Sequence, residues 1–252
     1  MQLDGLAGKT ALITGGSRGI GFAIAHRLVE NGVNVCITAR KADQLTAAVA
    51  SLNEVGSAIA VAGKADQGDH QTDAVEKTIA AFGRLDILVN NAAVSPQFGP
   101  LMDADLGAVQ KTLMVNVVAT LAWSQLAWRA WMRDNGGSVV NVASTGGLQP
   151  APSIGSYNVS KAALIHLTRQ LALEMGPGVR VNALAPGLVR TQFAQPLFED
   201  NESEVAALFP MKRIGEPGDI ADAAAFLVSA NASWMTGSTF VVDGGELTVA
   251  AI

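Results

Sequence analysis

Short runs rich in apolar and β-branched residues alternate along this chain with longer stretches whose apolar positions recur every three or four residues. The short runs, at 10–14, 34–38, 58–62, 87–90, 138–142, 180–185 and 239–242, predict strands. The longer stretches, at 20–30, 43–55, 71–82, 106–133, 156–175 and 217–229, predict amphipathic helices. Strict alternation of the two implies βαβ units with right-handed crossovers. The predicted fold is therefore α/β and doubly wound, a seven-stranded parallel sheet with helices on both faces. No repeat or linker divides the pattern, so residues 1–252 are expected to form a single domain.

The rhythm breaks between residues 188 and 215, where no strand is evident and Phe193, Pro196, Phe198, Phe209 and Met211 mix with acidic residues. An excursion this long, following the carboxyl end of a predicted strand, suits a lid over a substrate site. A loosely packed surface insertion is the alternative.

Composition narrows the class further. Hydrophobic residues make up 49% of the 252 and charged residues 15%, which fits a globular protein and not a disordered one. The net charge of −5 argues against nucleic acid or an anionic membrane as a partner. No uninterrupted apolar run reaches the roughly 18 residues of a spanning helix. The start, Met1-Gln2-Leu3-Asp4-Gly5-Leu6, lacks the basic-then-apolar pattern of a signal peptide, so a cytoplasmic location is expected. The single cysteine, Cys36, lies inside a strand run and is expected to be a small buried residue.

Candidate chemistry sits on two motifs. After the first strand comes Thr14-Gly15-Gly16-Ser17-Arg18-Gly19-Ile20-Gly21, opening a helix. Glycines there permit a tight turn and close approach of backbone to phosphate, and the helix N-terminus offers unpaired N–H groups to a pyrophosphate. The second strand ends in Thr38-Ala39-Arg40-Lys41, without the carboxylate that would accept from the ribose 2′-hydroxyl of NAD. Arg40, with Arg18 from the glycine turn, can instead bind a 2′-phosphate, which favours NADP(H) over two merely solvated arginines. The second motif pairs Tyr157 with Lys161 at i, i+4, one face of a helix, with Ser144 thirteen residues upstream. A free tyrosine titrates near ~10. A neighbouring cation favours tyrosinate and brings the phenol towards acid–base work. Taken alone, such a pair is more often surface decoration. His26, His70 and His166 lack ligand spacing, and no metal is expected.

These residues resemble the short-chain dehydrogenase/reductase superfamily in its single-domain Rossmann form, over nearly the whole chain. The glycine turn fits the family's Thr-Gly-x-x-x-Gly-x-Gly, and Asn90-Asn91-Ala92-Ala93 fits its Asn-Asn-Ala-Gly with Ala93 in place of the usual glycine. Asn116, Ser144, Tyr157 and Lys161 match its catalytic four, and Pro186-Gly187 its segment beside the nicotinamide. The resemblance implies that Gly15, Ser17, Arg18, Gly19, Ile20 and Gly21 hold the cofactor phosphates and that Asp66 contacts the adenine. It further implies that Asn90 and Ala92 line the cofactor cleft and Thr191 contacts the carboxamide. Ser144 would hydrogen-bond the substrate oxygen, Tyr157 would exchange a proton with it, Lys161 would hold the nicotinamide ribose, and Asn116 would help position a water.

The implied activity is NADPH-dependent reduction of a ketone or 3-oxoacyl carbonyl. The reverse oxidation of an alcohol stays open, and a non-catalytic dinucleotide sensor is the reading from another class. Within the superfamily the chain most resembles 3-oxoacyl-[acyl-carrier-protein] reductases and related ketoreductases. Arg129 matches one of their two docking positions for a carrier protein, while Leu173 occupies the other. The substrate is thus expected to be a small-molecule or acyl-thioester carbonyl, with an acyl carrier protein as a candidate partner. Trp123, Trp128 and Trp131 suit either a core or the four-helix contact of a family homotetramer, to which Val241-Val242-Asp243-Gly244-Gly245 would add a second interface.

Overall fold

The computed structural model describes residues 3–249; Met1 and Gln2, which open the N-terminal segment considered above, lie outside the described residues. The strands are β1 (Thr10–Thr14), β2 (Asn34–Ala39), β3 (Ala58–Ala62), β4 (Ile87–Asn90), β5 (Gly137–Val142), β6 (Val179–Pro186) and β7 (Thr239–Val242). They form one parallel seven-stranded sheet in the order β3-β2-β1-β4-β5-β6-β7. The helices that cover it are α1 (Gly19–Glu30), α2 (Ala42–Asn53), α3 (Gly68–Phe82), α4 (Leu106–Asn135), α5 (Gly155–Met175) and α7 (Pro217–Val228).

The two faces follow from the two-residue period of a strand. Ile13, Val35, Ile37, Val89 and Val140 point to one side, where they meet Ile24 and Leu28 of α1, Leu45 and Leu52 of α2, and Ile220 and Ala224 of α7. Their neighbours Leu12, Cys36, Leu88 and Val139 point the other way, onto Val75 of α3, Trp123 and Ala127 of α4, and Leu171 of α5. Cys36 is fully buried, and that burial pushes its thiol up to about 11. It is the inert core residue its position suggested.

The order in which strands are added switches sides between β1 and β4, and a crevice opens at the carboxyl ends of such strands. Buried Asp86, just before β4, accepts from Thr10 N–H at 2.9 Å and from Arg84 at 2.6 and 2.8 Å. Burial alone would raise this carboxyl. The Arg84 guanidinium and the Thr10 amide more than offset it and hold the group below the usual carboxylate range. The bond to Thr10 ties the amino ends of β4 and β1, at the edge of the sheet opposite the crevice.

Helix α4 differs from a regular helix at two wide π-turns, Met114–Val118 and Trp128–Met132. Such turns insert an extra residue and re-aim the side chains around them. By length and composition α4 is long and apolar enough to cross a membrane. The expectation that no apolar run approaches a spanning helix is corrected to this extent, because polar residues interrupt the apolar positions of α4 without ending them. Thr112, Asn116, Trp123, Ser124 and Met132 of this helix are buried in the protein. The tryptophans divide: Trp123 is core, with its indole N–H on Ala65 O at 2.9 Å, and Trp128 and Trp131 are half-buried.

The segment 188–215 is not irregular throughout. It holds a one-turn element, Gln195–Leu197, and a short helix, α6 (Glu202–Leu208). Seven residues without a side-chain cap give little periodic signal, so the pattern read as loop. The two ends of the segment are zipped by Arg190 N–H on Gly215 O at 2.8 Å and Gly215 N–H on Leu188 O at 3.0 Å. Arg190 then reaches Glu202 at 2.6 Å and Glu216 at 2.8 Å, and Phe198 and Phe209 are buried beneath.

Candidate active site

The turn between β1 and α1 is shaped by glycine. Gly15 and Gly19 lie in the left-handed region at φ +67° and +57°. A Cβ on Gly21 would stand 2.4 Å from Gly15 O, closer than real Cβ atoms approach, so only glycine fits there. The Arg18 side chain does not cap α1, and the first helical bond runs from Phe22 N to Arg18 O at 3.3 Å. The amides of Gly19, Ile20 and Gly21 thus lack helical partners at the positive end of the helix, a cradle that fits a pyrophosphate.

Thr14 and Asn91 clamp that turn from below. Asn91 Nδ2 donates to Thr14 O at 3.0 Å and Gly15 O at 3.1 Å, while Thr14 Oγ1 accepts from the amides of Asn91 and Ala92, both at 3.0 Å. This corrects the role expected for Asn90. Its side chain is buried, donating to Asn141 Oδ1 at 2.9 Å and Ser124 at 3.3 Å, whereas Asn91, the first residue past β4, takes the glycine turn. Asn91 is the residue the motif offered and the sequence reading left out of the site. Ala93 adopts no positive φ, so its methyl group brings no backbone strain.

At the tip of β2, Arg40 is exposed and forms no ion pair among the described residues. Arg18 is also exposed and donates to Gln192 of the 188–215 segment. Ser17 lies half-buried between the two turns of glycine. Asp66 pairs with Lys111 of α4, whose hydrogen bond holds the Asp66 carboxyl below its ordinary range.

The catalytic candidates converge on the ends of β5 and α5. Lys161 is buried, and its Nζ donates to Val142 O at 2.7 Å and lies 5.4 Å from the centre of the Tyr157 ring. Ser144 follows β5, its Oγ accepting from Gly146 N–H at 3.1 Å. Burial pushes the Tyr157 phenol up to about 12, partly opposed by a hydrogen bond from Ser144. Burial likewise pushes Lys161 down to about 7. The sequence suggested that the cation would draw the phenol down. Burial raises the phenol more than the Ser144 hydrogen bond lowers it, so it stays protonated, the form that donates a proton.

Asn116 occupies the first π-turn of α4 and is buried. Its Oδ1 accepts from Val94 N–H at 2.9 Å, and its Nδ2 donates to Val94 O at 3.0 Å and Ser160 Oγ at 2.9 Å. Ser160 in turn donates to Tyr157 O at 2.6 Å. Both amide protons of Asn116 are therefore spent on fastening the 94-region loop to the catalytic turn of α5, so a water would have to use another atom.

The 188–215 segment folds over this ground. Thr191 packs against Gly19, 3.3 Å from where its Cβ would be, and Phe193 tilts against Tyr157 with ring centres 5.9 Å apart. Pro186 ends β6 opposite Val242, and Gly187 N–H donates to Val242 O at 3.1 Å. His26 meets Glu30 at the surface, His70 is buried edge-on to Trp123, and His166 is exposed, all three away from the catalytic four.

Comparison with known proteins agrees with this layout. A family model described as Enoyl-(Acyl carrier protein) reductase matches residues 15–246. Dehydrogenase/reductase SDR family member 4 of Bos taurus is 43% identical over 250 residues, covering 96% of this chain and 88% of that protein. Short-chain dehydrogenase/reductase SDRA of Arabidopsis thaliana is 38% identical over 245 residues, covering 95% of each. Among solved structures, a short-chain type dehydrogenase/reductase from Mycobacterium ulcerans superposes with a TM-score of 0.92 at 34% identity, covering 100% of this chain and 93% of the other. L-Sorbose reductase from Gluconobacter frateurii, complexed with NADPH and L-sorbose, gives 0.92 at 32% identity, covering 99% and 100%. A phosphate cradle at the β1–α1 turn, a Ser-Tyr-Lys group beside it and this likeness along the whole chain lead to one assignment: the protein belongs to the short-chain dehydrogenase/reductase superfamily, oxidoreductases that use NAD(P).

Proposed function

We propose that the protein is an NADPH-dependent reductase that converts a ketone to a secondary alcohol, with Tyr157 as the general acid. The observation that carries this reading is the convergence of two hydroxyl donors, Ser144 and Tyr157, with the buried Lys161 behind them. When bound, the cofactor supplies the hydride. A carbonyl oxygen gaining negative charge is stabilised by donors already aimed at it, so Ser144 holds the oxygen and Tyr157 delivers its proton. Arg18 and Arg40, beside a β2 tip without a carboxylate, favour the phosphorylated cofactor. The NADPH named in the sorbose reductase structure is in line with that preference.

The rim of the site favours an apolar ketone. Phe193 is exposed and stands against the acid itself, and Phe98 on the loop after β4 and Leu148 on the loop after β5 are exposed as well. A 3-oxoacyl thioester on a carrier protein is the second candidate substrate. Arg129 is exposed as docking requires, but the other docking position presents the apolar Leu173. The test is a panel of aryl and alkyl ketones, sugars and acyl-thioester mimics followed through NADPH absorbance. One NADPH consumed per secondary alcohol formed is the expected result, and no turnover on any carbonyl would refute the reading.

A homotetramer is part of the same proposal. Met114 and Val118 of α4, Val159 and Leu173 of α5, and Trp234, which is 99% exposed, leave apolar surface on two faces. Sedimentation is expected to show four copies; a stable monomer at micromolar concentration would remove this part.

A further inference from the structure

Glu246 is a half-buried carboxylate that no step above uses. It lies four residues past β7, in the one-turn element Glu246–Thr248. Thr145 Oγ1, next to Ser144, donates to Glu246 Oε2 at 3.4 Å. Burial raises this carboxyl above its ordinary range, partly opposed by the main chain at Leu188, next to Gly187. The fit around it is close: a Cβ on Gly187 would stand 2.5 Å from Glu246 Oε2 and 2.9 Å from Asp243 Cα. Asp243 fixes the turn that carries Glu246, accepting from Gly245 N–H at 2.8 Å and Leu247 N–H at 2.9 Å.

A carboxylate in this place is costly. It is partly desolvated, it faces the like charge of Asp243, and no cation is among the groups that act on it. An apolar side chain would fill the volume without that cost. What the carboxylate adds is an acceptor for Thr145 in the loop after β5, set close against Gly187 in the segment after β6. Those two loops carry Ser144 and the Pro186-Gly187 segment, the two surfaces between which carbonyl and nicotinamide must meet.

We propose that Glu246 is a positioning residue for carbonyl reduction. Its carboxylate locks the Ser144 turn against the Pro186-Gly187-Leu188 segment and so sets the separation between the oxygen-binding hydroxyl and the face that receives the nicotinamide. The proposal rests on the reading of Ser144 and that segment given above. Displacement by about 1 Å at such a site is enough to cost on the order of 10²-fold in rate.

The test compares E246A, E246Q and T145V with the wild type, in one assay, using NADPH carrying hydrogen or deuterium at the transferred position. Wild-type turnover tests the underlying reading, so only the ratios between variants bear on Glu246. E246A is expected to lose about tenfold or more in kcat per folded molecule and to show a larger deuterium isotope effect, because hydride transfer is the step that slows. E246Q keeps an oxygen acceptor for Thr145 and is expected to retain kcat within about threefold. T145V breaks the hydrogen bond but keeps the close fit against Gly187, and is expected to fall between them. A purely structural Glu246 would lower the melting temperature while leaving kcat and the isotope effect of the folded fraction unchanged. That result, or an E246Q as impaired as E246A, overturns the proposal. If E246A does not fold, the T145V and E246Q values decide it: T145V with unchanged kcat and isotope effect would count against.

Discussion

Replacing Tyr157 with phenylalanine is expected to lower kcat about 10³-fold, within the 10² to 10⁴ that a positioned proton donor typically contributes. The change removes one oxygen and little else. The ring keeps its contact with Phe193 at 5.9 Å, and the Lys161 ammonium keeps its place 5.4 Å from the ring centre, held by Val142 O. Neither the glycine turn nor Arg40 touches the phenol, so the dissociation constant for NADPH should stay within about threefold of wild type, as read by cofactor fluorescence. Ser144 alone can still hold the carbonyl oxygen, which is why the expected loss is large and not total. A Y157F enzyme retaining more than about a tenth of wild-type kcat would exclude the phenol as the acid.

The second large effect concerns cofactor choice. A double variant, R18S with R40S, is expected to lower the ratio of kcat/KM for NADPH over NADH by about 10²-fold. Each guanidinium can contribute charge-assisted hydrogen bonds to a 2′-phosphate, about 1.5–3 kcal/mol apiece where well formed. Both arginines are exposed, so the lower end of that range applies. NADH efficiency should barely change, since that cofactor has no phosphate to lose. Arg18 is engaged with Gln192, so phosphate binding must share or replace that contact. A wild type that turns over NADH as efficiently as NADPH, or a double variant with an unchanged ratio, would contradict the assignment.

Much of this molecule is legible in local pattern. Every strand end falls within one residue of where alternating and β-branched runs place it, because each strand is a buried apolar segment bounded by turn residues. The glycine turn and the Tyr157–Lys161 spacing are equally local, since each does its work within one turn of backbone. What escaped the sequence depends on contacts between distant segments. Helix α6 is seven residues long and is held by Arg190 bonding to Glu202, a pairing no periodicity encodes. The π-turns of α4 leave its apolar spacing looking like an ordinary helix.

The site shows the same division. Asn90 and Asn91 are neighbours in one motif, yet Asn90, the last residue of β4, bonds Asn141 while Asn91, just past the strand, clamps the glycine turn, a division set by the end of the strand. Spacing put Lys161 beside Tyr157 but could not reveal that burial dominates both groups and leaves the phenol protonated. Glu246 stands about 100 positions from Thr145 and carries no motif around it, so only the folded chain brings it to the catalytic loops. Trp123 and Trp131 share a helix at near-helical spacing, yet one is core and the other half-buried, because the wide turn at Trp128–Met132 intervenes.

The central claim is that hydride reaches a carbonyl carbon, and the family model's description, an enoyl reductase, makes the landing point worth measuring. The direct measurement is a reaction with NADPH deuterated at the transferred position and a substrate bearing both a ketone and a conjugated double bond, followed by mass spectrometry and NMR of the product. The account predicts one deuterium on the carbinol carbon, with the double bond intact. Deuterium on the carbon β to an unreduced carbonyl, or no label transferred at all, would contradict it.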